Sequence, residues 1–178
     1  MAEDFKSLMG ELLQDTYSAE TQLLEALPEM AEAASTPALR KAFEDHLQMT
    51  QRQVERLEEV AEMMGVDPDG EDCEAMEGLI AEAEEIVNDH EEGPVRDAAL
   101  ISAAQKVEHY EIAAYGTLTA MAKAAGLREA ADLLAQTLKE EKDTDEQLTE
   151  LAEREVTPAA LRGAVASDPA KRRKGSAA

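Results

Sequence analysis

Four stretches of about twenty-five to thirty residues carry Leu, Val, Met and Ala at intervals of three and four, and proline or glycine punctuates their ends. Such a period matches the 3.6-residue turn of an α-helix and has no match in a strand, whose side chains alternate. The spacing predicts long helices over 5–34, 37–64, 94–125 and 128–155, with a shorter amphipathic one over 72–90. Thr36 followed by Pro37 reads as an N-cap and first helical residue, and Gly65 and Gly126 read as stops. With 44% apolar and 32% charged residues the chain can bury a core and still solvate its outer faces.

Two helical hairpins separated by residues 65–93 make an all-α protein, an up-down four-helix bundle with a long crossover containing an additional short helix. The bundle is expected over 1–156. Residues 157–178, which end in AKRRKGSAA, are expected to be a basic, disordered C-terminal tail. The loop VDPDGED has acidic residues but lacks the glycine a calcium loop needs at its sixth position, where Asp72 stands if Asp67 is the first.

The formal net charge of -23 repels phosphates, so nucleic acid is not expected as a partner. No stretch is long and apolar enough to span a membrane, and the acidic start MAEDFKSLMGELL lacks the features of a secretory leader. Cys73 is the only cysteine, which rules out an internal disulfide and fits a reducing cytoplasm.

Successive helical residues turn by about 100°, so each charge can be placed relative to the dry stripe of its helix. In the first helix Leu23 and Leu27 lie on that stripe, and Glu20 falls among them. In the third, Leu100, Ala104, Val107 and Leu118 mark the stripe, with Glu108, Glu111 and Tyr115 inside it. In the second, His46, Thr50 and Gln53 share the face of Phe43, Val54 and Leu57. In the fourth, Glu141 is central, Asp145 is close by and Glu140 lies toward the edge.

Glu20, Glu111 and Glu141 each stand about fifteen residues from their own hairpin turn, which puts them at one level halfway along the bundle. His46, Glu108 and Asp145 are displaced from that level by roughly 5 Å, one helical turn. A buried carboxylate without a partner costs several kcal/mol or stays protonated. No Lys or Arg occupies a central position on these stripes, so cations are the expected compensation. The predicted ligands are therefore Glu20, Glu111 and Glu141, joined by His46, Glu108 and Asp145. This oxygen-rich set suits two metal ions; iron or manganese would fit, and magnesium or calcium would be tolerated. Tyr17 and Tyr115 are expected to pack or to donate hydrogen bonds behind the ligands.

The runs DTYSAE, AFEDHLQMT, CEAMEGLIAEAEEI, VRDAALISAAQKVEHYEIAAYGTL and EEKDTDEQLTELA resemble the YciE/YciF family of ferritin-like stress proteins. The resemblance extends from Phe5 to about Ala152. It implies a ferritin-like bundle, a tendency to dimerise and a dinuclear metal site. The chain departs from the family at Met49, where members commonly carry Glu, and it has neither of the two Glu-x-x-His pairs usual in ferritin-like sites. The functional expectation is a cytoplasmic, homodimeric stress protein whose metals meet oxygen or peroxide. The rival expectation is a non-enzymatic stress or scaffold protein.

Overall fold

The computed structural model describes residues 3–167. The elements are α1 (Glu3–Ala33), α2 (Pro37–Met64), α3 (Glu74–Asp89), α4 (Pro94–Ala125), α5 (Arg128–Leu151), a π-helical turn (Ala152–Val156) and α6 (Thr157–Ser167). No strand occurs among the described residues. Helices α1 and α2 form one hairpin and α4 and α5 the other. α2 packs on α5, α1 packs on α4, and α3 lies over both α1 and α4. This is the ferritin-like bundle with a long crossover.

The helix stops follow from backbone chemistry. Gly65 and Gly126 adopt left-handed φ values of 63° and 78°, which cost a residue with a Cβ more than glycine. Their turns satisfy orphan carbonyls in the same way. Gly65 N–H donates to Glu62 and Val66 N–H to Ala61; Gly126 N–H donates to Lys123 and Leu127 N–H to Ala122.

Thr36 is the N-cap of α2 and Pro37 its first residue, as the sequence indicates. Thr36 has extended backbone, but its hydroxyl makes no capping bond. Instead the buried Asp97 carboxylate, from the first turn of α4, accepts the backbone N–H groups of Ser35 and Thr36, both at 2.8 Å. Ser35 Oγ in turn accepts the N–H of Gly93 at 2.8 Å. Arg96 and Arg40 donate to the carbonyls of Ala33 and Ala34, which the end of α1 leaves unpaired. One hairpin turn is thus tied to the start of the second hairpin by charged side chains.

The crossover is anchored at its other end. Cys73 is buried, its N–H donates to Ser18 Oγ at 2.9 Å, and its sulfur lies 3.0 Å from Tyr110 Oη. Tyr110 donates to Asp15 at 2.6 Å, so α1, the start of α3 and α4 meet at one polar contact. Burial and the Asp15 hydrogen bond push the Tyr110 phenol well up, and it stays a neutral donor.

The apolar interior is divided. One cluster includes Leu23, Leu39, Phe43, Leu100, Ile101 and Leu148, near the α1–α2 turn. The other includes Met9, Leu13, Leu57, Leu118, Ala130 and Leu134, near the α4–α5 turn. The two hairpin turns therefore lie at opposite ends, as the long crossover requires.

The C-terminal segment differs from the expected tail. The helix of α5 continues through the π-helical turn, Val156 is fully buried, and α6 packs against α4. An apolar anchor at Val156 and the helix-compatible run Thr157-Pro158-Ala159-Ala160 account for this continuation. The basic run of the predicted tail lies outside the described residues.

Replacing Asp97 with alanine leaves two N–H groups without their charged acceptor. Urea unfolding of Asp97→Ala is expected to show a loss of about 3 kcal/mol. A loss below about 1 kcal/mol would show that the turn does not depend on this contact.

Candidate metal centre

Between the two apolar clusters lies a layer of buried polar side chains. α1 supplies Glu20; α2 supplies His46, Thr50 and Gln53; α4 supplies Glu108 and Glu111; α5 supplies Glu141. The intervals place them together: 46, 50 and 53 lie on one face of α2, and 108, 111 and 115 on one face of α4. Atoms of His46, Glu108, Glu111 and Glu141, one from each side chain, lie within 4.8 Å of one another. His46 Nδ1 is 3.2 Å from Glu108 Oε1, and its Nε2 is 3.9 Å from Glu141 Oε2.

Two surrounding groups, Tyr115 and Gln53, hold these side chains, and Arg56 braces the helix behind them. Tyr115 donates to Glu20 Oε1 at 2.5 Å. Gln53 Nε2 donates to Glu141 Oε1 and, at 3.3 Å, to Glu140 Oε2. Arg56 donates to Thr137 Oγ1 and makes an ion pair of 2.9 Å with Glu140. Burial would raise the Glu140 carboxyl, but hydrogen bonds from Arg56 and Gln136 hold it below its ordinary value. Glu140 is thus a structural partner of Arg56, on the edge of the bundle where the helical wheel put it.

The inner carboxylates behave oppositely. Burial pushes Glu20 up to about 7 despite the lowering influence of the Tyr115 hydrogen bond and the His46 charge. Burial, then the charges of Glu20 and Glu141, push Glu111 well up. Burial, then the charges of Glu20 and Glu108, do the same to Glu141. Burial alone would lower the His46 imidazole, yet the charge and hydrogen bond of Glu108 leave it above its ordinary value. Each shift expresses one fact: these acids are crowded together away from water.

The donor set fits a cation. Glu20 Oε2, Glu108 Oε2, both Glu111 oxygens, Glu141 Oε2 and His46 Nε2 are buried without a hydrogen-bond partner. Unpaired buried acceptors are rare because each forfeits its hydration, and here several converge. Carboxylate oxygens with one imidazole nitrogen are a ligand set suited to divalent iron or manganese.

Five of the six predicted ligands lie buried in this layer, Glu20 beside the converging four. Asp145 is set aside from it. It accepts a 3.0 Å hydrogen bond from Gln105, lies 3.7 Å from the exposed His109, and leaves 24% of its side chain exposed. Four residues beyond Glu141 turn the helix about 40° past a full circle, and that rotation carries Asp145 into the α4–α5 seam. Gln53 was visible on the inward face of α2, but its role in fixing Glu141 depends on how α2 meets α5. Arg56 gives no sequence signal, because its partners are more than eighty residues away.

Fold and site together define a ferritin-like helical bundle with an internal histidine–carboxylate cluster able to hold metal. The chain belongs to the family described as "Domain of unknown function (DUF892)", whose model matches residues 5–161. It is 54% identical over 142 residues to the protein YciF of Escherichia coli K12, covering 79% of this chain and 86% of that protein. The crystal structure of the E. coli stress protein YciF superposes with a TM-score of 0.84 at 50% identity, covering 88% of this chain and 99% of that one. The structure of YcfI from Rhodopseudomonas palustris gives 0.79 at 40% identity, covering 84% and 97%. Among the described residues no helix is long and apolar enough to cross a membrane.

The raised carboxyls have a consequence for stability without metal. Between the ordinary value near 4.5 and about 7, native Glu20 holds a proton that the unfolded chain has released. Stability of chelator-treated protein should therefore fall as pH rises through that window. Thermal unfolding at pH 5 and 7.5 is expected to show the fall, and Glu20→Gln to reduce it by on the order of 3 kcal/mol. Equal pH dependence in the two proteins would contradict a proton held at Glu20.

Proposed function

We propose that this chain is a cytoplasmic stress-response protein, working as a homodimer, that holds two metal ions inside the bundle. Iron is the first choice and manganese the second. The observation that carries this reading is the convergence of buried, unpartnered carboxylate oxygens on His46. Glu20, Glu108, Glu111 and Glu141, when ionised, match the charge of two divalent cations, and His46 adds a neutral nitrogen. Its kinship to the stress protein YciF supports the physiological assignment.

Bound there, iron would supply one-electron chemistry toward a small oxidant such as oxygen or peroxide. The protein's own contribution is positional. Glu108 orients His46 through Nδ1 and leaves Nε2 free to face the cluster. Tyr115 fixes the orientation of Glu20, and Gln53 that of Glu141, so that each presents its other oxygen inward. Arg56 and Glu140 close the polar layer behind Gln53. The apolar clusters above and below keep bulk water out, which strengthens the attraction between carboxylate and cation.

Elemental analysis of protein purified without chelator is expected to find about two metals per chain, and far less in Glu111→Ala. Adding Fe(II) to the metal-free protein in an oxygen electrode should produce consumption above the buffer rate. Metal without oxidant consumption would reduce the protein to a stress or scaffold bundle with redox-inert ions. No metal in the native protein would end the reading.

A further inference from the structure

A site enclosed between two apolar layers needs a way in, and the α2–α5 seam differs along its length. Toward the α4–α5 turn the seam is tied shut. Gln53 bridges to Glu140 and Glu141, and Arg56 grips Thr137 and Glu140. One to two turns along α2 in the other direction the bonding thins: His46 Nε2 lies 3.9 Å from Glu141 on the inner side, and beyond that pair the seam is unbonded. Among the described residues no hydrogen bond or ion pair joins α2 to α5 between residues 42–49 and 144–148; Thr144 Oγ donates within its own helix, to Glu140.

In that unbonded stretch lies a narrow cleft of about 50 Å³ whose walls include Phe43, His46, Met49, Thr144 and Leu148. Its lining includes both the partly buried Met49 and the buried His46, whose Nε2 has no hydrogen-bond partner. The exposed Asp45 stands at its rim. Larger clefts, of 240–410 Å³, lie on the outside of the bundle, and none has a member of the metal cluster in its wall.

We infer that the α2–α5 cleft is the portal to the metal centre, that Met49 is its gate, and that it passes only species of a few atoms: a bare cation, water, oxygen or hydrogen peroxide. This rests on the metal-binding reading above and narrows its substrate class. A water occupies at least roughly 10–15 Å³ on the same measure, so the cleft holds only a few small molecules, whereas pockets for organic ligands run to roughly 300 Å³ or more. An unbranched Met side chain can swing through several rotamers without a bonded partner to break. Leu148 and Phe43 are packed in the core and cannot yield as easily.

A gate and a ligand respond differently to substitution. A gate alters the barrier between outside and inside, so uptake and release change by one common factor and the affinity stays. A ligand or a packing residue that shapes the site changes the affinity itself. The test uses Co(II) alone, followed by its visible absorption after rapid mixing with metal-free protein, and release into excess chelator. Met49→Ala should quicken uptake and release by about threefold or more, and Met49→Phe should slow both by about fivefold or more, with affinity held within about twofold. Circular dichroism on each variant confirms that the bundle is folded.

Unchanged rates in both variants would overturn the portal, as would a rate change matched by an equal change in affinity. Failure of the unsubstituted protein to bind Co(II), Mn(II) or Fe(II) at all would instead remove the metal centre on which the portal depends.

Discussion

Like charges buried side by side repel one another, and each has surrendered its hydration. Glu20, Glu108, Glu111 and Glu141 do both in the middle of this bundle. Their mutual repulsion in a poorly polarisable interior is worth far more than the same charges at the surface. Protons can relieve it, as the raised carboxyls show, and so can cations. Hydrophobic residues in their place would pack at no such cost. A layer of this kind is therefore strained in isolation, and added positive charge relieves the strain.

The rest of the molecule holds that layer together. Two apolar clusters flank it and supply the stabilisation that the polar layer forgoes. The two hairpin turns and the start of the crossover are fixed by devices that do not rely on the centre: the Asp97 clamp across Ser35 and Thr36, and left-handed glycines at Gly126 and, where α2 enters the crossover, Gly65. Cys73 and Tyr110 seat the crossover against α1 and α4. Because the helices are fixed at their ends, carboxylates from different helices are brought to one level in spite of their repulsion. Tyr115 and Gln53 then settle which oxygen of each faces inward.

Periodicity made much of this legible. Glu20, Glu111 and Glu141 interrupt dry stripes at equal distances from their turns, and His46 and Glu108 follow from the same wheel. Asp145 did not follow, because a wheel angle of a few tens of degrees cannot tell the centre of a bundle from the seam between two helices. Thr36 and Pro37 begin α2 as local chemistry indicated, but the carboxylate that ties down their turn comes from Asp97, about sixty residues away, and no local pattern announces it. Arg56 was invisible as part of the site for the same reason: a long side chain at a stripe's edge finds its partner only once another helix is placed beside it.

The amino-acid order alone determined five helices, their stops, the crossover and the inward turn of most of the acids, since these depend on contacts within a few residues along the chain. Tertiary structure decided which acids converge, which oxygens are held by Tyr115 and Gln53, that Thr157–Ser167 continues as helix against α4, and where the α2–α5 seam is left unbonded. Those outcomes depend on the relative rotation and spacing of whole helices. Such quantities are set by the summed packing of many side chains, and no local segment encodes them.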